Sequence, residues 1–335
     1  MHPALQGVIT IIIGVGGCIG YFYFANLLLD KVLFPAKGPN IGRNINRANM
    51  IRPWVFLFPA MFALGLYLAY PVVETIRLSL TERLPGGQYR FVGLENYRFM
   101  FAEDKFWEAV RNNVLWLIVV PAASTAFGLL AAQLTDRLRW GNIAKSIIFM
   151  PMAISLVGAA VIFKLVYEAR PEDVAQIGIL NHLYLLAGGA EPQQWLQIPF
   201  WNNLFLMIVL IWIQTGFAMV ILSAALRGIP EETVEAAIVD GANPFQIFFK
   251  IKIPQIMNTI VVVWTTITIA TLKVFDIVFA MTNGQWETQV LANYMYDKLF
   301  RANDWGVGSA SAMIIMLMVL PILIWNVSNA RKEMR

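Results

Sequence analysis

The sequence predicts an all-α polytopic membrane protein: a core of six spans with one extra span ahead of it. Three observations carry this. The 335 residues are 58% hydrophobic and only 14% charged, far too apolar for a soluble domain of this size. The apolar residues gather in seven runs, each near the ~20 residues that cross a bilayer as a helix. The polar segments between the runs alternate in basic content, as segments on opposite sides of a membrane do.

The runs follow in order. Residues 5–29 form the first. The stretch ahead of them has no Lys or Arg, and the run is long for a cleaved leader, so it is expected to stay as a span. Its GVGGCIG (residues 14–20) fails the GxGxxG pattern at Ile19, and Gly16 and Gly20 are spaced for close helix packing. Residues 30–52 carry Lys31, Lys37, Arg43, Arg47 and Arg52 against one acid, which assigns this segment to the cytoplasm and the N-terminus to the outside. Residues 1–52 are therefore set apart as an extra span and linker, and residues 53–335 as the core. Span two is expected at 53–73. Span three, 113–134, holds Pro121, which is expected to bend it. Span four, 146–167, has Pro151 near its start. Spans five to seven fall at 203–226, 258–281 and 306–327. Fourteen Lys and Arg fall on the inner segments and nine on the outer, so the C-terminus is expected to be cytoplasmic.

Residues 228–256 are the most ordered polar interruption. Pro230 opens a helix, and Glu231 and Glu232 place negative charge against the positive end of its dipole. Glu235, Ala236 and Ala237 continue it with small residues that admit a close partner. Asp240 and Gly241 end it, glycine tolerating the left-handed backbone of a helix C-terminus. Asn243 and Pro244 then begin a second helix with Phe245, Phe248 and Phe249 on one face, which Ile253 and Pro254 are expected to stop. The product is a helix–turn–helix bracket between two spans, suited to dock another protein and pass on its movement.

This stretch resembles the signature loop of bacterial ABC-importer permeases: EAA, then Gly, then Ile-x-Leu-Pro. The matching residues are Glu235, Ala236, Ala237, Asp240, Gly241, Ile251 and Pro254, with Ile253 in place of the usual Leu. FVGLENYRFMF (91–101), GILNHLYLLAG (178–188), LKVFDIVFAMTNG (272–284) and GVGSASA (306–312) are also similar to the carbohydrate-uptake, maltose-permease-like class. The extra first span and the short external segment after Tyr167 look most like its alpha-glucoside importers. Gln285-Trp286 departs from the Gly-Pro common at that point, which leaves the external turn undetermined. The resemblance implies an importer-permease core in the bacterial inner membrane, supplying half of a translocation pathway. It also implies three kinds of partner: a pair of ATPase subunits docked on the bracket, a sister permease and an extracytoplasmic sugar-binding protein.

The chain carries no GxxxxGK[ST], HExxH or GxSxG, so it is expected to bind no cofactor, with ATP and Mg on the partner ATPase. Cys18 is the only cysteine, and His2 and His182 lack acidic or cysteine neighbours at ligand spacing, so no metal site is expected. No basic, aromatic-interleaved patch for nucleic acid occurs. Sugars are held by ring stacking and hydroxyl hydrogen bonds. That directs attention to Trp212, Gln214, Thr215 and Gly216 in span five, Gly216 as a place for a sugar ring to approach. In span six the candidates are Thr268 and Thr271, and Lys273 and Asp276, which are three apart on one face and placed either to serve function or to neutralise each other. Threonines in spans also bond their own backbone. An ion-coupled secondary carrier, or a membrane sensor or scaffold using the bracket as its surface, are the alternative functions.

Overall fold

The computed structural model describes residues 3–37, 41–136, 138–171 and 173–333. His2, Arg137, Glu172 and Arg335, counted above among the titratable groups, lie outside them. The chain divides into two compact units, Met1–Glu74 and Thr75–Arg335.

In the first unit, α1 (Pro3–Leu27) runs on through a wide π-type turn, Leu28–Leu33. The second helix, α2 (Ile41–Leu64), continues through a similar turn, Gly65–Ala69, into α3 (Tyr70–Ser79). The two arms meet where the Tyr21 hydroxyl donates to the Val55 carbonyl at 2.7 Å and Arg52 reaches Asp30 at 2.5 Å. Side chains on these helices are apolar and mostly exposed, as befits helices facing lipid. The helix that carries the second span starts at Ile41, twelve residues before the expected start of the span at 53. Pro53 and Pro59 sit inside α2, and no glycine or proline interrupts residues 43–52. The expected packing at Gly16 and Gly20 is not made: no described atom lies within 4 Å of where a Cβ would stand on either.

The second unit opens with a hairpin, β1 (Thr81–Arg83) against β2 (Tyr89–Phe91), with Thr81 opposite Phe91. Gly86 and Gly87 turn it at φ +99° and +82°, which only glycine adopts freely. Helix α4 (Glu95–Ala102) follows, tied down by Asn96, whose amide donates to the Ser79 and Thr81 carbonyls at 2.9 and 3.0 Å. The long α5 (Asp104–Thr135) stays continuous through Pro121. Span four is broken instead. There α6 (Gly141–Phe149), a tight turn at Met150–Ala153 holding Pro151, and α7 (Leu156–Val166) are bent by 103°. Pro151 denies the helix an N–H, and the Ser155 hydroxyl caps α7 by accepting the Gly158 N–H at 3.1 Å.

A segment carrying α8 (Ile179–Leu186) leads to α9 (Trp201–Arg227). The bracket comprises α10 (Glu231–Val239), then α11 (Pro244–Gln246), a wide turn at Ile247–Lys252, and α12 (Ile253–Gln255). The start of α13 (Met257–Leu272) meets it at 72°. Then come α14 (Asp276–Met281), α15 (Leu291–Tyr296) and α16 (Trp305–Glu333). Among the described residues, five helices are long and apolar enough to cross a membrane, seven if each bent pair is one span.

The main core forms where α5 crosses α9 and α13. Trp116 and Val120 pack with Leu206, Met219, Leu222, Val263 and Ile267. The crossing is close because Gly128 has no side chain: a Cβ there would stand 2.4 Å from that of Ala218.

Candidate functional site: the docking bracket and the helices above it

The bracket's two helices are separated by a turn of two interlocking motifs. Asp240 caps α10. The Gly241 N–H returns to the Ile238 carbonyl at 3.0 Å and the Ala242 N–H to that of Ala237 at 2.9 Å. These are the paired bonds of a Schellman ending, with Gly241 at φ +81°. Two residues on, Asn243 and Gln246 exchange side-chain and backbone bonds at 2.9 Å in a capping box that starts α11. The N–H groups of Asp240, Gly241, Ala242, Asn243 and Gln246 thus all have local partners. Glu235, Ala236, Asp240 and Gly241 are exposed, while Ala237 is buried and turned inward. Val239, at the end of α10, and Phe245 and Phe249, after the turn, are 86%, 76% and 60% exposed, large apolar side chains left at the surface of the bracket. Ile251 is half-buried. Pro254 does not stop the second helix: it lies in the first turn of α12, and the chain bends at Ile256 instead. The wide turn before it shifts the hydrogen-bond ladder, the kind of place where a missing N–H is tolerated.

Next to the bracket, the ends of three helices converge on Asp136, the residue that caps α5. Its Oδ1 accepts hydrogen bonds from Lys145 of α6, from the Ser223 hydroxyl of α9 at 3.0 Å and from the Arg227 Nε at 3.2 Å. Lys145 also donates to Ser223 at 2.6 Å. Partial burial raises the Asp136 pKa. The bonds from Lys145 and Ser223, the Lys145 charge and the Arg227 bond outweigh it and hold the carboxyl below its ordinary 3.8. The turn between α5 and α6 is tight, since a Cβ on Gly141 would stand 2.1 Å from the Thr135 carbonyl oxygen. The sequence shows Asp136 only as one acid among basic residues; its partners lie 9, 87 and 91 positions away.

The sugar-pathway candidates divide between α9 and the α13–α14 junction. Trp212 is 37% exposed on α9, its ring 5.4 Å from that of Phe163. Gln214 is half-buried. Thr215 and Thr268, also half-buried, donate to the carbonyls one turn back, Ile211 and Trp264, each at 2.7 Å. Thr271 is fully buried, its hydroxyl on Ile267. Gly216 admits not an open approach but the backbone of α6: a Cβ would stand 2.7 Å from the Ile148 carbonyl oxygen. Lys273 and Asp276 do not share one helix face. The helix breaks between them, Lys273 ending α13 and Asp276 starting α14, and no ion pair joins them. The pattern of span six gave no warning, since no proline or glycine marks the break.

Two Asn-Asn pairs, which the sequence reading passes over, and Asn181 of the GILNHLYLLAG segment hold the loops at the other end of these helices. Asn112 donates to the Glu287 and Gln289 carbonyls at 2.9 and 2.8 Å, and Asn113 accepts the Leu291 N–H at 2.8 Å. Asn202 and Asn203 donate to the Trp286 and Glu287 carbonyls at 2.5 and 3.1 Å. Together α5 and α9 hold the turn at Gln285-Trp286, where Trp286 and Glu287 take φ +54° and +61°. Left-handed non-glycine residues cost about 1 kcal/mol or more each and persist only when over-determined. Asn181 donates to the Glu168 and Gln193 carbonyls at 3.0 Å and accepts the Gln193 N–H at 2.8 Å, closing the segment after α7.

Comparison with known proteins gives this arrangement a lineage. Residues 124–331 match the family described as the binding-protein-dependent transport system inner membrane component. The alpha-glucoside transport system permease protein AglF of Rhizobium meliloti (strain 1021) is 60% identical over 99% of both chains. The osmoprotective compounds uptake permease protein GgtC of Synechocystis sp. is 47% identical over 83% of this chain and 99% of its own. A crystal structure of a bacterial ABC transporter importing the acidic polysaccharide alginate shares the fold. Its TM-score is 0.72 at 20% identity, over 88% of this chain and 99% of that one. The shared lineage and fold leave no place for the carrier and scaffold readings. The chain belongs to the inner membrane components of binding-protein-dependent transport systems, as an ABC-importer permease.

Proposed function

We propose that this permease forms half of the pathway of an ATP-driven importer of oligosaccharides, with alpha-glucosides such as maltose, sucrose or trehalose as substrates. Its N-terminus lies outside and its C-terminus in the cytoplasm. A pair of ATPase subunits docks on the bracket through Glu235, Ala236, Ala237, Asp240, Gly241, Ile251 and Pro254, and ATP and Mg belong to those subunits. A sister permease completes the pathway, and an extracytoplasmic binding protein delivers the sugar. Closure of the ATPase pair on ATP draws the bracket along, and the helices above it open the pathway to the outside.

The observation that carries the reading is the bracket itself: a turn whose N–H groups have local partners, presenting Val239, Phe245 and Phe249 to solvent. Large apolar side chains this exposed on the polar side of a span call for a partner. The sugar class is supported by the 60% identity to AglF. On the pathway, Trp212, Gln214, Thr215 and Thr268 keep surface for a sugar, with the Lys273–Asp276 break beside them; Thr271 and Gly216 serve packing. The test is ATP hydrolysis by the reconstituted complex, with and without binding protein and a panel of alpha-glucosides. Stimulation by one sugar in the wild type, lost in Glu235→Ala/Gly241→Val, is expected. Hydrolysis indifferent to both sugar and bracket would sink the proposal.

A further inference from the structure

We infer that Asp136 is the positioning residue that transmits bracket movement from α9 to α5 and α6; the inference rests on the docking role proposed above. The chain continues from α9 through Gly228 into α10. Movement of α10 therefore reaches the end of α9 covalently. It has no such route to α5 or α6, whose ends are joined to α9 at this level by polar contacts.

Those contacts converge on one atom. The Asp136 Oδ1 gathers Lys145 from α6 and both Ser223 and Arg227 from the last turns of α9, and Lys145 and Arg227 each also bond Ser223. Ser223 and Arg227 are one turn apart, so a rotation of α9 shifts both bonds together. The Asp136 and Lys145 side chains are 22% and 13% exposed, so salt screens this pair less than an open surface pair. The second half of the bracket approaches the same point, Lys252 reaching Gln133 of α5 at 3.5 Å. A cleft of about 570 Å³ lined by Gln133, Asp136, Arg227, Glu235 and Lys252 leaves room for α10 to swing against this hub. A rigid joint with an open cleft on one side is what a transmitted rather than absorbed movement needs.

The test uses the complete complex in proteoliposomes, comparing sugar uptake per ATP hydrolysed. Asp136→Asn keeps the shape and one acceptor oxygen but removes the charge. It is expected to retain ATP hydrolysis while uptake per ATP falls about tenfold, and Asp136→Glu is expected to restore part of it. Wild-type uptake per ATP in Asp136→Asn would overturn the inference. Should that variant not assemble, Ser223→Ala, which removes one hydroxyl of the joint and changes no charge, takes its place: reduced uptake per ATP supports the joint and an unchanged ratio overturns it. A wild-type complex without ATP-dependent uptake would instead sink the docking reading, and the inference with it.

Discussion

At Gly241 the chain tests its own design most sharply. The residue sits at φ +81° with nothing within 4 Å of a would-be Cβ, so a side chain there meets no neighbour and the whole penalty is conformational. Gly241→Val is expected to cost about 1–2 kcal/mol locally and to distort the turn between α10 and α11. Uptake into vesicles should fall while the protein still inserts and purifies. Gly128 is the opposite case, a helical glycine with ordinary backbone and no room. Gly128→Val places methyl groups into Ala218 and Met219 and should destabilise by about 1–3 kcal/mol, read as a lower unfolding temperature in detergent. Asp136 carries a pH dependence whose sign follows from its lowered pKa. The stability it lends is intact above the ordinary value of 3.8 and is lost as pH falls below that, through the lower folded-state value. The gap in unfolding temperature between wild type and Asp136→Asn should therefore be constant near neutrality and narrow below about pH 4.

Elements broken inside the membrane are where local chemistry and packing must agree. The kink between α6 and α7 rests on Pro151 and on the Ser155 cap, which satisfies an otherwise orphaned N–H at the start of α7. Ser155→Ala is expected to cost about 1 kcal/mol, and Ser155→Thr, which keeps the acceptor, much less; thermal unfolding of the two variants checks this. Elsewhere, the asparagines of α5 and α9 hold a loop in a conformation its own residues disfavour. Removing Asn203 leaves the Glu287 carbonyl and the Trp116 indole without that partner. Asn203→Ala should cost about 1–3 kcal/mol and loosen residues 284–291, seen as faster backbone hydrogen exchange there. Exchange at wild-type rates would show that Asn112 and Asn202 suffice.

For the whole molecule, the proposed orientation is testable through accessibility. Cys18 is the only cysteine, so replacing it leaves a clean background. A cysteine at Gly86 in the hairpin turn should react with a membrane-impermeant maleimide in intact spheroplasts. One at Val239 in α10 should react only after permeabilisation. The reverse pattern would invert the topology and remove the docking reading. The described chain also separates into Met1–Glu74 and Thr75–Arg335, and the family match falls wholly within the second unit. A chain lacking residues 1–40 should consequently still co-purify with its partners and keep sugar-stimulated ATP hydrolysis.

The sequence by itself determined the class of protein, the number and order of its apolar segments and the anatomy of the bracket. Those features are written in local chemistry: composition decides which solvent a helix can face, and Asp240-Gly241 followed by Asn243-Pro244 sets a stop and a start within a few residues of each other. Only the tertiary structure decided which side chains meet. Asp136 looked like a stray acid until α9 brought Ser223 and Arg227 to it. Gly216 looked like room for a sugar until α6 filled the space. Lys273 and Asp276 looked like a pair until α13 ended between them. In each case the deciding partner is either far along the chain or set by a break that packing imposes, and neither leaves a trace in the periodicity of a span.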